Sequence, residues 1–325
     1  MTLESARASR RYLVVGAGGL LGGAVAAQLD RRPDAVVVRA SVPWDDEAGS
    51  VAALTEQFGS VVAAGTPWSL VWCAGAGVVA SGPDALDRER RVVEASLAAF
   101  GRLLSAVDDT TDGGAAHGSA FVASSAGGVY AGASGSPFDE HTEPRPLAPY
   151  GWNKLGVEEL FTRWAADSGV PVVVGRFANL YGPGQDLTKA QGLVSQLCLA
   201  HLQGRPSSIY VPMDTIRDYV FVDDAAAMTV DALDRASLLE AGTVVTKIIA
   251  SGLGVTIGAL IAELQNVVKR RPRIVWGSHA SASRQALDLR FRSLVWPELD
   301  RRSLTPIAAG IHRTLMSLNE GGVRR

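Results

Sequence analysis

The stretch "VVGAGGLLGGAV", residues 14–25, decides the fold of this chain. It places Gly16, Gly19 and Gly22 at G-x-x-G-x-x-G spacing, between a short apolar run and an apolar helical segment. Glycine in such a turn lets the backbone approach a pyrophosphate, and the first turn of the following helix offers N–H groups without intrahelical partners. Glycine also serves tight strand–helix turns that bind nothing. In this setting we predict a strand–turn–helix unit that binds a dinucleotide.

Apolar runs and helical stretches alternate along the first half of the chain. The runs that read as buried strands lie at 12–15, 35–38, 69–75, 119–125 and 170–177. Longer helical stretches lie between them, at 84–107 and 150–169. Such alternation indicates a parallel sheet covered by helices on both faces. We therefore predict an α/β fold, a Rossmann-type doubly wound parallel sheet.

The pattern loosens after residue 177. "NLYGPGQD" (179–186) predicts a Gly/Pro loop, and amphipathic helices follow it, so we expect a smaller C-terminal substrate-binding lobe. The predicted organisation is a disordered N-terminus at 1–10, a dinucleotide-binding domain at 11–177 with about 218–250, and a substrate-binding lobe at 178–217 and 251–325.

Composition narrows the class of protein. The chain has 325 residues, a formal charge of −2 and 47% hydrophobic residues. It can therefore bury a large core, and its near-neutral charge argues against nucleic acid as the main partner, since phosphate binding needs a basic surface. No run of 18 apolar residues predicts a membrane span, and nothing at the N-terminus reads as a signal peptide. We expect a cytoplasmic protein. Cys73 and Cys198 lie in apolar stretches and read as buried thiols, and no Cys/His spacing predicts a metal site.

The end of the second predicted strand bears on the choice of dinucleotide. NAD sites place an acidic residue there to bind the ribose hydroxyls, but this strand reads "VVVRAS" (36–41). Arg39, with Ser41 nearby, suits a 2′-phosphate. We therefore favour NADP, with NAD as the alternative, since Arg39 can also be a solvated residue and Asp45 or Asp46 can fold back toward the adenosine.

The segment "PYGWNK" (149–154) predicts an acid–base pair. Tyr150 and Lys154 stand four residues apart and share one face of a helix. A free phenol has a pKa of about 10, and a nearby ammonium and an oxidised nicotinamide both favour its deprotonated form. The pair can then exchange a proton with a sugar or alcohol hydroxyl while hydride moves. Tyr-x-x-x-Lys alone is common by chance, but it is more specific after a glycine turn in a sheet pattern.

A hydroxyl group is expected beside the tyrosine, to polarise the substrate oxygen. "FVASSAGGVYAG" (121–132) ends a predicted strand with Ser124 and Ser125. Small residues here also allow close packing of strand and cofactor, which explains the glycines but not the two serines. Either serine can supply the hydroxyl.

Five motifs in one order carry a resemblance to a known family. They are "GAGGLLG" (16–22), "SSAGGVYAG" (124–132), "PYGWNK" (149–154), "RFANLYGPG" (176–184) and "RDYVFVDDAA" (217–226). The chain resembles an extended short-chain dehydrogenase/reductase of the nucleotide-sugar epimerase/dehydratase family. The motifs span nearly the whole chain and are highly specific as a set.

The resemblance implies roles for individual residues. Tyr150 would be the acid–base, Lys154 its partner and Ser125 the hydroxyl, with Ser124 as a rival because the serine is shifted by one residue relative to many epimerases. The expected cofactor-binding residues are Gly16, Gly19, Leu20, Leu21, Gly22, Arg39, Ser41, Ala74, Gly75, Ala76, Tyr150, Lys154 and Phe177.

The resemblance also implies a nucleotide-diphosphate sugar as the substrate. Asn179, Leu193 and Arg217 are the expected substrate-binding residues, and the guanidinium of Arg217 suits a diphosphate. Arg217 can instead form an ion pair with Asp218 or Asp223. A homodimer is expected, packed through the helices at 84–107 and 150–168.

One departure from the family pattern narrows the reaction. The 4,6-dehydratases of the family carry Thr-Asp-Glu before Val-Tyr, whereas this chain has Ala-Gly-Gly at 126–128. The missing carboxylates disfavour dehydration and decarboxylation. We therefore predict hydride transfer at a ring carbon of the sugar, C4, and favour a 4-ketoreductase because Arg39 suggests NADPH; a 4-epimerase is the alternative. A non-catalytic dinucleotide sensor is disfavoured, because the tyrosine, lysine and serine are all present.

Overall fold

The computed structural model describes residues 9–75, 82–108, 118–188, 191–277 and 286–320. The strands are β1 Arg10–Val15, β2 Ala35–Arg39, β3 Trp68–Trp72, β4 Gly118–Ser125, β5 Val172–Phe177, β6 Asn179–Tyr181, β7 Ser207–Ile209, β8 Ile216–Phe221, β9 Val244–Ile249, β10 Gly254–Thr256, β11 Ile274–Trp276 and β12 Asp288–Leu289. The helices are α1 Leu20–Leu29, α2 Glu47–Val62, α3 Pro83–Asp108, α4 Ala126–Val129, α5 Pro149–Ser168, α6 Leu193–Leu202, α7 Val222–Ala236, α8 Ile257–Val268, α9 Pro297–Asp300 and α10 Ile307–Glu320.

The large sheet has six parallel strands in the order β2-β1-β3-β4-β5-β9. Every residue of β3 and of β5 is buried, as expected for parallel strands with helices on both faces. Helices α1 and α7 pack together on one face, while α2, α3 and α5 cover the other. The predicted Rossmann-type doubly wound sheet is confirmed.

Local signals explain where the helix carrying Tyr150 and Lys154 begins and ends. Pro149 occupies the first turn of α5, where its missing N–H removes no helical hydrogen bond. Gly169 ends the helix in the left-handed conformation, with φ of 71°, which glycine adopts without strain. The predicted helix at 150–169 therefore agrees with α5 to within one residue at each end.

A smaller sheet follows the large one along the chain. Strand β8 pairs with β6, β10 and β12, and a separate apolar cluster around Tyr181, Leu197, Phe221, Leu264 and Ile311 packs beside it. The predicted loop at 179–186 is wrong at its start, because the backbone of β6 pairs with β8. The boundaries predicted for the two domains stay a prediction.

Two further observations bear on the sequence-based expectations. Disorder was expected over residues 1–10, but Arg10 begins β1 and its backbone N–H donates to Asp34, so that expectation is wrong at Arg10; residues 1–8 lie outside the described residues. Among the described residues, no helix combines the length and the apolar character needed to cross a bilayer.

The glycine turn between β1 and α1 leaves no room for side chains at two positions. Gly16 has φ of 88°, and a Cβ there would lie 2.6 Å from the backbone nitrogen of Ala74 at the end of the neighbouring strand. A Cβ on Gly22 would lie 2.2 Å from the carbonyl oxygen of Gly16. At Gly18, by contrast, a Cβ would meet no atom within 4 Å. Close backbone contact therefore requires glycine at 16 and 22, whereas the space beside Gly18 is open.

These contacts predict a difference between two glycine-to-alanine variants in the same turn. Gly22→Ala should lower the free energy of unfolding by about 1–3 kcal/mol, because overpacking against Gly16 outweighs the gain of about 1 kcal/mol in helix propensity. Gly18→Ala is the matched control and should change it by no more than about 0.5 kcal/mol. Urea denaturation measures both, and equal stabilities of the two variants would contradict the packing argument.

Candidate active site

A cleft of about 670 Å³ opens at the carboxyl ends of the central strands, between the large sheet and the segments that follow it. Ligands bind at this edge in open α/β sheets. The sequence-predicted site residues in its wall are Gly19, Leu20, Leu21, Ala74, Gly75, Ser124, Ser125, Tyr150, Lys154, Phe177, Asn179, Leu193 and Arg217. Gly16 and Gly22 shape the turn below the cleft, and Ala76 lies outside the described residues. Arg39 and Ser41 are not part of the cleft wall.

The start of α1 fits an anionic group. Gly19 has extended backbone at the N-cap, no side chain caps the helix, and no acidic residue occupies its first turn. The first N–H groups of a helix lack intrahelical partners and carry the positive end of its dipole. Together with the open space beside Gly18, these features fit the pyrophosphate of a dinucleotide.

Arg39 has a partner that the sequence reasoning missed. Its guanidinium forms an ion pair with Asp30, the residue that ends α1, and both side chains are about half exposed. The backbone N–H and carbonyl of Ser41 are hydrogen-bonded to the side chain of Gln57. A 2′-phosphate bound by Arg39 would therefore have to compete with Asp30.

Tyr150 and Lys154 both face the cleft from the first turns of α5. The Nζ of Lys154 lies 5.7 Å from the centre of the Tyr150 ring, and the lysine is 6% exposed. A Cβ on Gly75 would lie 2.8 Å from that Nζ, so the ammonium rests against the backbone that follows β3. Glu89, on α3, accepts from the same Nζ at 3.1 Å. Burial alone would lower the pKa of Lys154, but Glu89, Tyr150 and Glu158 together raise it above the ordinary lysine value.

The two serines have different surroundings. Ser124 is buried and donates to Glu158, which accepts two further hydrogen bonds from Arg176, at 3.0 and 2.6 Å. Arg176 also donates to the hydroxyl of Tyr130, which is itself buried. Ser124, although it belongs to the cleft wall, thus has its hydroxyl engaged in a buried polar network.

Ser125 faces Tyr150 across a glycine. Its Oγ accepts from the backbone N–H of Gly128 at 3.1 Å and caps the short helix α4. A Cβ on Gly128 would lie 3.0 Å from Cε1 of Tyr150 and 3.2 Å from the Ser125 Oγ. Gly128 therefore lets the tyrosine ring and the serine hydroxyl approach the same point, a role that the sequence reasoning did not assign.

Two carboxylates of the site were also missed. Glu158 follows Lys154 by four residues on α5, so the spacing alone could have placed it on the same face of the helix. Glu89 carries no such signal, because 65 positions separate it from Lys154 and only the packing of α3 on α5 joins them.

Arg217 lies in the cleft wall and is 8% exposed. Its Nη1 donates to the carbonyl of Ile216 at 2.8 Å, and burial lowers its pKa. Asn179 donates to the backbone carbonyl of Asp218 at 3.0 Å, which places the amide beside β8.

The carboxylates suggested as partners for Arg217 make other contacts. The Asp218 side chain is fully buried and accepts from the backbone N–H groups of Ser251 and Gly252, and burial raises its pKa to about 6. Asp223 pairs with Arg313 at 2.6 Å. Asp218 and Asp223 thus bind other groups, while Arg217 contributes to the cleft wall.

The cysteines fit the prediction in part. Cys198 is buried, whereas Cys73 is only partly buried and lies in the cleft wall. Burial raises the pKa of each thiol to about 12. Within the described ranges, no group of three His, Cys, Asp or Glu residues could hold a metal ion.

The sheet, the glycine turn and the Tyr–Lys pair at its carboxyl edge define an extended short-chain dehydrogenase/reductase fold. The chain belongs to the NAD dependent epimerase/dehydratase family, whose model matches residues 12–246. It is 34% identical over 97 residues to a dTDP-L-rhamnose 4-epimerase of Burkholderia thailandensis, covering 30% of this chain and 27% of that protein. It is 35% identical over 89 residues to a dTDP-glucose 4,6-dehydratase of Salmonella typhimurium, covering 27% of this chain and 24% of that protein. The chain thus spans about a quarter of the length of these curated relatives.

Solved structures share the fold over nearly the whole chain. MoeE5 in complex with UDP-glucuronic acid and NAD is 22% identical, with a TM-score of 0.75 over 96% of this chain and 99% of that one. The UDP-glucose 4-epimerase of Thermotoga maritima, with UDP-glucose, is 20% identical, with a TM-score of 0.75 and the same coverage. RMD from Pseudomonas aeruginosa, complexed with NADPH, is 20% identical, with a TM-score of 0.72 over 97% of this chain and 98% of that one.

Proposed function

We propose that this protein is an NAD(P)-dependent nucleotide-sugar 4-epimerase that acts by hydride transfer at C4 of the sugar. The observation that carries the proposal is the arrangement at Gly128, where the ring of Tyr150 and the hydroxyl of Ser125 converge in a cleft that also contains Lys154 and the glycine turn. These are the groups needed to remove a proton from an alcohol while its carbon loses a hydride.

The comparisons favour epimerisation over the net reduction that Arg39 suggested. Several of the relatives and solved structures are named as 4-epimerases of nucleotide-sugars, and both NAD and NADPH occur in the neighbouring structures. The case for a 4-ketoreductase depended on a free Arg39, and the pairing of this arginine with Asp30 weakens that case.

The proposed reaction assigns one task to each side chain. Tyr150 accepts the proton of the C4 hydroxyl as the carbon is oxidised and returns it after the sugar presents its other face. The charge of Lys154 stabilises the deprotonated phenol, and Ser125 holds the C4 oxygen by a hydrogen bond. A bound nicotinamide would accept the hydride and give it back. Arg217 and Asn179 would hold the diphosphate of the substrate.

Elimination of water fits this cleft poorly. Dehydration across C5–C6 needs an acid and a base beside the sugar, and the segment at 126–128 supplies neither. Asp186 is the one carboxylic acid among the described residues of the cleft wall, and it accepts from the backbone N–H and the hydroxyl of Thr188.

The homodimer through α3 and α5 and the cytoplasmic location stay predictions.

Incubation with UDP- and dTDP-sugars tests the proposed reaction. An epimerase converts a sugar into its C4 epimer without net change in nicotinamide absorbance, as chromatography of the products would reveal. Stoichiometric consumption of NADPH with a 4-keto sugar would instead identify a reductase, and the absence of any product with any nucleotide-sugar would favour a dinucleotide sensor.

Tyr150→Phe is expected to lower turnover by a factor on the order of 10²–10⁴, because it removes the group that exchanges the proton. Cofactor binding and thermal stability should stay close to wild type, since only one oxygen is lost. Tyr210→Phe is the matched control, because Tyr210 is partly exposed and not part of the cleft wall, and it should keep full activity. Turnover near wild type in Tyr150→Phe would refute the mechanism.

The two serines should respond differently to the same substitution. Ser125→Ala should lower turnover by about 10²-fold, as loss of one positioned donor does. Ser124→Ala should instead lower the free energy of unfolding by about 1–3 kcal/mol, because it leaves Glu158 without one buried partner. Steady-state kinetics and urea denaturation on both variants decide which serine supplies the reacting hydroxyl. A larger kinetic loss in Ser124→Ala, without loss of stability, would make Ser124 the reacting hydroxyl.

The ion pair at Asp30 predicts how cofactor preference can be changed. Asp30→Asn should free Arg39 and tighten NADPH binding by about tenfold, with little change for NADH, since only NADPH carries a 2′-phosphate. Arg39→Ala should weaken NADPH binding alone. Titration calorimetry measures the affinity of each variant for NADH and for NADPH. Equal responses of NADH and NADPH to either substitution would exclude Arg39 from the site.

A further inference from the structure

Lys154 is held from two sides inside the protein. Its side chain is 7% exposed and that of Glu89 is 10% exposed, and the Nζ lies 3.1 Å from the Glu89 Oε1. A Cβ on Gly75 would lie 2.8 Å from the Nζ and 3.4 Å from the same carboxylate oxygen. The ammonium, the carboxylate and the backbone at Gly75 thus meet at one point, next to the cleft wall to which Lys154 and Gly75 belong.

The charge of Lys154 depends on its neighbours, because burial of an unpaired ammonium is strongly unfavourable. On its own helix, Tyr150 presents its ring and Glu158 lies one turn further on, where it is already engaged by Arg176 of β5. The other helix that packs here, α3, presents Glu89.

The remaining neighbours add little that could replace Glu89. From α3, Arg90 also approaches α5, since its Cδ would lie 3.5 Å from a Cβ on Gly156. From β4, Ser124 contributes a hydroxyl, and it is bonded to Glu158. Glu89 is therefore the carboxylate placed to balance the lysine directly.

We propose that Glu89 is a positioning residue that keeps Lys154 charged and directed toward the cofactor end of the cleft. The proposal rests on the proposed function, in which the ammonium binds the nicotinamide ribose and stabilises the deprotonated phenol. Glu89 itself touches neither substrate nor cofactor in this scheme. It acts through the lysine, and it does so from a different helix.

The sign of the effect follows from the balance of burial and charge. Burial favours the neutral amine, and Glu89, Tyr150 and Glu158 together more than offset it, with Glu89 the largest contributor, so the pKa of Lys154 is raised. Without the carboxylate, burial is opposed only by weaker interactions, and the lysine loses its proton at lower pH. Dinucleotide affinity, which depends on the ammonium, should then fall at lower pH as well.

The test is NADH and NADPH binding to the intact protein, followed by nicotinamide fluorescence from pH 6 to pH 10.5. Wild-type affinity should stay constant up to the ordinary lysine pKa of about 10.4. In Glu89→Gln the loss of affinity should move on the order of 1–3 pH units lower, the usual effect of removing an opposite charge. Glu89→Asp should restore most of the wild-type profile. Glu94→Gln, an exposed glutamate of the same helix, should match wild type.

The possible outcomes distinguish a failure of the role proposed for Glu89 from a failure of the proposed function. Identical profiles for wild type and Glu89→Gln, with cofactor bound, would overturn the role of Glu89 and leave the epimerase proposal standing. Loss of wild-type affinity at a pH well below the ordinary lysine pKa would also overturn the role of Glu89. This result does not depend on any variant folding. If wild type binds neither dinucleotide at any pH, both proposals fail. Circular dichroism at each pH confirms that the protein stays folded.

Discussion

The contact between the backbones of Gly128 and Gly151 determines where Tyr150 and Lys154 lie relative to Ser125. A Cβ on Gly151 would lie 2.2 Å from the carbonyl oxygen of Gly128, so α5 can approach the turn after β4 only because position 151 has no side chain. That approach brings Tyr150, which precedes Gly151, beside Ser125. It also directs Lys154, one turn later, to the end of β3. A shift of α5 by one side-chain layer would separate all three.

The charges beneath the site follow from the same packing. Once α5 lies against the sheet, Lys154 and Glu158 on its inner face are withdrawn from water and must find partners there. Arg176 from β5 binds Glu158 with two hydrogen bonds, and Glu89 from α3 meets Lys154. Removal of one partner from such a pair leaves a buried charge, which is far more costly than loss of an exposed ion pair such as Arg39–Asp30. These ion pairs therefore hold both the basic side chain of Lys154 and the acidic side chain of Glu158 in place.

The sequence carried enough information for the fold and for the placement of Tyr150, Lys154 and the two serines in one cleft, because these features depend on local patterns. The strand runs, the glycine turn and the Tyr-x-x-x-Lys spacing each act within one or two elements, and the structure has them where they were expected. Contacts between distant segments were out of reach. Asp30 pairs with Arg39, and Glu89 pairs with Lys154, so each acid alters the role expected of its basic partner. Neither acid could be identified from spacing or composition. The choice between Ser124 and Ser125 likewise depends on Glu158 and Gly128, which only the packed structure places beside them.

The ion pair between Glu89 and Lys154 joins two helices as well as two charges. Its carboxylate belongs to α3 and its ammonium to α5, so the separation of these helices and the protonation of the lysine are thermodynamically linked. By reciprocity, a ligand that favours the charged lysine must also favour close contact between α3 and α5. If Lys154 binds the cofactor as proposed, occupation of the cleft is coupled to the packing of α3 against α5, and loosening of the helix pair lowers cofactor affinity by the coupling free energy between the two equilibria.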